Sequence, residues 1–285
     1  MIINLDTVQD AQGDFAIREA YALWDDYYAT SPQAANFAAR TIKAYLYDII
    51  PAYPNLRYMV VVGNDYVVPQ RRVSDSTLVA NQRSYDKVED PAVKIAYDLR
   101  YYLTDDYYAA AIPFPANGRE VYLPQYGIGR LIETPQEIIT VIDTFLGETT
   151  LTPGTALVTG YDFLTDQANA ISGELTARGV SADSTLINDT WTGQQFRNKA
   201  FSGTSYDLIS LNSHFDHTLF YPNSPTDLVY ADEVDNGVNA FQGSLVFSVG
   251  CQSGLNVDGR YYPAGTPFTG ADWAQMFAGR GATFI

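Results

Sequence analysis

The chain has 285 residues, 46% hydrophobic and 18% charged, a globular composition with enough apolar material for one sizeable α/β domain or two small ones. Its 17 Lys and Arg stand against 33 Asp and Glu, and the net charge of −16 argues against nucleic acid or an anionic membrane as partner, since both demand a basic surface. The single cysteine, Cys251, excludes an intrachain disulfide framework, and no run reaches the roughly 18 apolar residues of a membrane span.

The opening MIINLDTVQDAQGDF has no basic segment leading into an apolar one, so it does not read as a signal peptide. Apolar periodicity predicts helices over 13–29 and 33–50. YMVVVG (58–63), β-branched, uninterrupted and closed by Gly63, predicts a central buried strand. The stretch 70–125, rich in Tyr, Asp and Pro, reads as loops or a small insertion. YGIGR (126–130) predicts a second strand. The helix after it is cleanly punctuated: Thr134 as N-cap, Pro135 at the first turn, Glu137 completing a capping box and Gly147 as C-cap.

TALVTG (155–160) predicts a third strand, followed by a helix near 165–178, the strand TLIND and a short helix near 192–200. YDLISLNSH (206–214) and SLVFSVGC (244–251) are the last two clear strands before the helix DWAQMFA (272–278) and the strand start GATFI. Short apolar runs alternating with helices predict an α/β fold with a mostly parallel sheet flanked by helices. A boundary near 150 would divide it into subdomains 1–150 and 151–285. GATFI stops inside what reads as a buried strand, which predicts a longer polypeptide whose targeting signal lies elsewhere.

In open α/β sheets, reactive groups gather beyond the carboxyl ends of the strands. Two strands here run into such a residue: LISLNS into His214, and SLVFSVG into Cys251. An imidazole beside a thiol can hold it as thiolate and later protonate a leaving amine. Gly250 and Gly254 let the backbone turn sharply, and the N–H groups of Phe215 and Cys251 are candidates for an oxyanion hole. Taken singly, Cys251 also reads as a small buried hydrophobe and His214 as a strand-end histidine bonded to a carbonyl; jointly their placement favours a dyad. A zinc site is the competing reading of SHFDH. However, Asn212 stands where the first ligand of a His-x-His-x-Asp-His run would be, and there is no third histidine. His217 reads as an exposed loop residue and Asp216 as a loop residue that shapes the site.

SLNSHF and LVFSVGCQSG resemble the histidine and cysteine blocks of caspase-fold (clan CD) cysteine peptidases, and among them the gingipain family, peptidase family C25. LRYMVVVGNDYVVPQR (56–71), LTDDYYA (103–109), YGIGRLIETPQEIITVIDTFL (126–146) and DWAQMFAGRGATFI are similar to further segments of that family, in the same order. The resemblance implies a caspase-like fold of two α/β subdomains with Cys251 as nucleophile and His214 as general base in the second. It implies a secreted or cell-surface thiol protease acting on a peptide or protein substrate, with no nucleic acid, no membrane span, no required cofactor and calcium as a structural ion. No loop here has a diagnostic calcium spacing.

The resemblance also implies that Asp162 and Asp166, with Gly250 and Gln252, are the candidates to line a substrate pocket, the two aspartates raising basic-residue specificity. Asp105 and Arg130 read as structural, Arg130 being a buried arginine paired with a carboxylate such as Asp105 or Asp65. The family has glycine where this chain has Phe215, whose side chain is expected to crowd the cleft or alter the loop. That departure leaves an alternative: a catalytically inactive caspase-fold module in a large surface protein, serving adhesion or scaffolding.

Overall fold

The computed structural model describes residues 1–10, 12–78, 81–116, 119–132, 134–147, 149–202, 204–223, 226–237, 241–261 and 271–285. They form two compact units, Met1–Leu131 and Ile132–Ile285.

In the first unit, apolar side chains at helical spacing build α1 (Ala16–Tyr27), which buries Ile17, Ala20 and Trp24, and α2 (Pro32–Ile49), which buries Ala35, Ala38, Ala39 and Ile42. Strand β1 (Tyr58–Val62) follows, then β2 (Arg71–Ser74), α3 (Pro91–Asp98), β3 (Tyr101–Thr104), α4 (Asp106–Ala109), β4 (Phe114–Ala116), β5 (Arg119–Val121) and β6 (Gly127–Leu131). The described strands pair two by two: β1 with β6 in parallel, β2 with β3 and β4 with β5 antiparallel.

Two expectations change here. The uninterrupted run 58–62 is not buried on both faces: Tyr58 is 76% exposed and Val60 and Val62 are exposed with it, while Val61 packs on the core. A uniformly apolar strand conceals the period of two that would reveal its open face. Within 70–125 the described residues hold β2 to β5, α3 and α4, with Tyr107, Tyr108 and Tyr122 in the buried core. Tyrosine buries its ring while its hydroxyl bonds backbone, as Tyr108 does to the Pro69 carbonyl, so a polar-looking segment can still be core. Arg130 is paired with a carboxylate: its Nε and Nη2 donate to Asp105 at 2.8 and 2.5 Å, and its Nη1 to the carbonyls of Gly63 and Asn64.

The second unit begins with α5 (Pro135–Gly147), so this helix falls on the far side of the division at 131/132 from the one a boundary near 150 would give it. Its capping box forms: Thr134 N–H donates to Glu137 Oε2 at 2.7 Å and Glu137 N–H to Thr134 Oγ1 at 3.4 Å. Next come β7 (Thr155–Gly160), α6 (Thr165–Ala177), β8 (Ser181–Ile187), α7 (Gly193–Ala200) and β9 (Leu208–Leu211). A small antiparallel sheet is inserted as β10 (His214–Phe215), β11 (Leu219–Tyr221) and β12 (Val229–Tyr230), followed by α8 (Glu233–Asn236), β13 (Leu245–Ser248), α9 (Trp273–Gly279) and β14 (Thr283–Phe284).

The main sheet has five parallel strands in the order β14-β13-β9-β7-β8 and is flanked by helices, a mixed α/β architecture. Its central strands are apolar along their length because both faces are covered. Leu157, Ile209, Leu211 and Val246 meet Trp191, Phe196, Phe220, Trp273 and Phe277 in one buried cluster.

Candidate functional site

From β7 the chain moves outward to β8, then returns to place β9 on the other side of β7. The strand order therefore reverses between β7 and β9, and a crevice forms past the carboxyl ends of two strands at such a point. Their ends are stitched together. Tyr161 N–H donates to the Asn212 carbonyl at 3.1 Å, while Asn212 Nδ2 donates to the Thr159 carbonyl at 2.9 Å. Asn212 is fully buried and zips the two strand ends, a structural duty in place of a ligand's.

His214 emerges from this seam half-exposed, its Nε2 3.2 Å from Asp162 Oδ2. Its ring stands edge-on to Tyr161 and Phe163, with centroids 5.9 and 5.6 Å away, and Phe163 is 71% exposed. Asp162 has φ of +55°, a left-handed conformation costing about 1–2 kcal/mol for a residue with a Cβ, and its N–H is held by Asp189 Oδ1 at 2.9 Å. Of the two aspartates expected to line a pocket, Asp162 faces the imidazole. Asp166 stands exposed in the first turn of α6, where a helix dipole favours an acid.

The hairpin beyond His214 overturns a further expectation. His217 is not an exposed loop residue but 1% exposed, and Asp216 beside it is 2% exposed. Asp216 Oδ1 accepts from Thr218 N, Thr218 Oγ1 and Leu219 N, and Oδ2 accepts from the Tyr221 hydroxyl, so this carboxylate shapes the turn from within. Trp273 closes over it, donating from Nε1 to the Asp216 carbonyl and from its backbone N–H to the His217 carbonyl. One histidine is thus open and the other sealed. Among the described residues no group of three or more His, Cys, Asp or Glu side chains is placed to hold a metal ion.

Phe215 does not project into the cleft. It is 5% exposed, with ring centroids 4.5 Å from Phe220 and 5.7 Å from Trp273. Because Asp216 N–H bonds the Leu219 carbonyl, ladder alternation makes Phe215 and Phe220 the non-bonded pair and turns the Phe215 N–H away from β11.

Cys251 is exposed, not a buried hydrophobe. Ser248 of β13 lies opposite Leu211 of β9 in parallel register, and Cys251 and His214 each follow three residues later. The thiol therefore leaves the same edge of the sheet as the imidazole. The turn that carries it is built by Gly250 N–H to Ser248 Oγ at 3.0 Å, by Ser253 Oγ to the Gly250 carbonyl at 3.0 Å, and by Gln252 at φ +53°. Of the three non-glycine residues with positive φ among the described residues, two, Asp162 and Gln252, flank this site. Gln252 is half-buried and Gly254 exposed. Sequence reasoning missed Tyr161, Phe163 and Asp189, whose contacts depend on strand order more than on local pattern.

No protein-family model matches the chain, and no curated protein matches it. The structure is similar to a solved structure described as "Structure of Protease", with 14% sequence identity and a TM-score of 0.48, over 92% of this chain and 54% of that one. The chain thus spans about half the length of that protein, and a likeness of this size assigns no residue and no chemistry.

Proposed function

We propose that the chain carries a cysteine endopeptidase site of caspase-like, gingipain-like arrangement, with Cys251 as nucleophile and His214 as general base. The observation that carries the proposal is register. The chain's one thiol and its one open imidazole each stand three residues past paired positions of adjacent parallel strands, at the edge where the strand order reverses. In this reading His214 Nδ1 holds the thiol proton and Asp162 orients the ring through Nε2. The Cys251 thiolate adds to the scissile carbonyl carbon, and the carbonyl π pair moves to oxygen, where the N–H groups of Phe215 and Cys251 receive it. Collapse expels the amine, which takes the imidazolium proton. Water, deprotonated by His214, then cleaves the thioester and regenerates the thiol. A secreted or surface setting and a peptide or protein substrate belong to the same proposal; no cofactor enters it.

The inactive-module alternative rests on Phe215 replacing glycine and on the acidic, Tyr-rich surface; the buried Phe215 side chain weakens the first of these motives. The test is Cys251→Ala: loss of peptide hydrolysis and of labelling by a thiol-reactive peptidyl electrophile, with folding retained, is expected. Hydrolysis that survives the change, or that only a metal chelator stops, sinks the proposal.

A further inference from the structure

Asp272 is fully buried at the start of α9, and its two carboxylate oxygens serve two different segments. Oδ1 accepts from Gln275 N–H at 2.8 Å and caps the helix. Oδ2 accepts from Val257 N–H at 2.9 Å and from Asn256 Nδ2 at 2.9 Å, both on the loop that leaves Cys251. The next residue, Trp273, bonds the carbonyls of Asp216 and His217 and packs on Phe215, which holds the hairpin that starts at His214.

We propose that Asp272 is a positioning residue that fixes the Cys251 loop to the His214 hairpin and so sets the spacing of the dyad, a role that rests on the peptidase reading above. Capping alone does not account for a buried acid here, because Ser, Thr or Asn caps a helix about as well without burying a charge. All three partners of Asp272 are neutral donors, so its burial is not explained by an ion pair either. What only a carboxylate supplies is a second acceptor oxygen in the same plane, able to take two donors from the nucleophile's loop while the first holds α9.

Asp272→Asn separates these duties. The amide oxygen can still cap α9, but the NH2 group then faces Val257 N–H and Asn256 Nδ2 as a third donor and releases the loop. Because Cys251 is the only cysteine, the rate of its alkylation by iodoacetamide against pH reports the thiolate directly. The expected result is a wild-type thiol that reacts at neutral pH as one held by an imidazole. In Asp272→Asn the neutral-pH rate falls about tenfold toward an ordinary thiol, and kcat falls with KM little changed, on a chain with native circular dichroism. Asn256→Ala cuts the same link without touching the cap and is expected to move the profile the same way by less; it decides the matter if Asp272→Asn does not fold. An activated wild-type thiol left unchanged by both variants overturns the positioning role and leaves the peptidase reading standing. A wild-type thiol of ordinary reactivity overturns both.

Discussion

Gly250 and Phe215 lie so close that a Cβ added to Gly250 would come within 2.3 Å of the Phe215 ring and 2.6 Å of its Cβ. The residue before the thiol thus packs on the residue after the imidazole, and the bulk of one dictates the absence of a side chain on the other. Gly250→Ala is expected to destabilise the fold by about 1–3 kcal/mol, the range for forcing a methyl into a packed site. Phe215→Ala alone is expected to cost about 3–5 kcal/mol as a core truncation. Because Phe215→Ala vacates the space that the added methyl needs, and the methyl fills part of the cavity left by the ring, the double variant should be less destabilised than the sum, by roughly 1 kcal/mol or more in a chemical-denaturation cycle. Strict additivity would mean that the two residues do not touch in solution.

Asp162 joins an unfavourable backbone conformation to a contact with His214, and two substitutions pull these apart. Asp162→Gly relieves the positive φ, so stability should hold or rise by up to ~1 kcal/mol, while the loss of the carboxylate lowers kcat/KM. Asp162→Asn keeps the shape and removes the charge. Both variants are expected to lose on the order of tenfold in kcat/KM, a modest factor because the pair is largely open to solvent and screened by salt. Equal activity of wild type and both variants, measured on one peptide at low and high salt, would remove Asp162 from the site.

The capping box of Thr134 and Glu137 and the strand-end positions of His214 and Cys251 were legible because each depends on a local pattern: a spacing of three, or an apolar run ending in a reactive residue. Arg130 was legible for a related reason, since an arginine inside a strand must find a carboxylate, and Asp105 supplies it. His217 was misread because a polar residue in a tight turn normally faces water, and Phe215 because a side chain next to the imidazole was expected in the cleft; nothing in SHFDH announces that Trp273, more than fifty residues on, will close over this hairpin. The contact of Asp162 with His214 was beyond reach for a different reason: it exists only because β7 and β9 are neighbours, and strand order is not written in any one strand.

Asp272 also gives the fold a pH signature. Burial drives its carboxyl up to about 7, reinforced by the nearby Glu137 and opposed by the donated hydrogen bonds of Gln275, Val257 and Asn256. A carboxyl raised in the folded state binds its proton more tightly there than in the unfolded chain, so its contribution is most stabilising below the unfolded value near 4 and is lost as pH rises toward 7. Asp183, Asp207 and Asp227, whose values are lowered, act in the opposite sense and lose stability as pH falls through the acid range. The two effects are separated by a difference curve, wild type minus Asp272→Asn, in which the shared carboxylates cancel. That difference should decline between pH 4 and 7 and level off above it, read as denaturation midpoints at half-unit steps. A flat difference would mean that Asp272 titrates as an ordinary carboxylate, its three hydrogen bonds outweighing its burial.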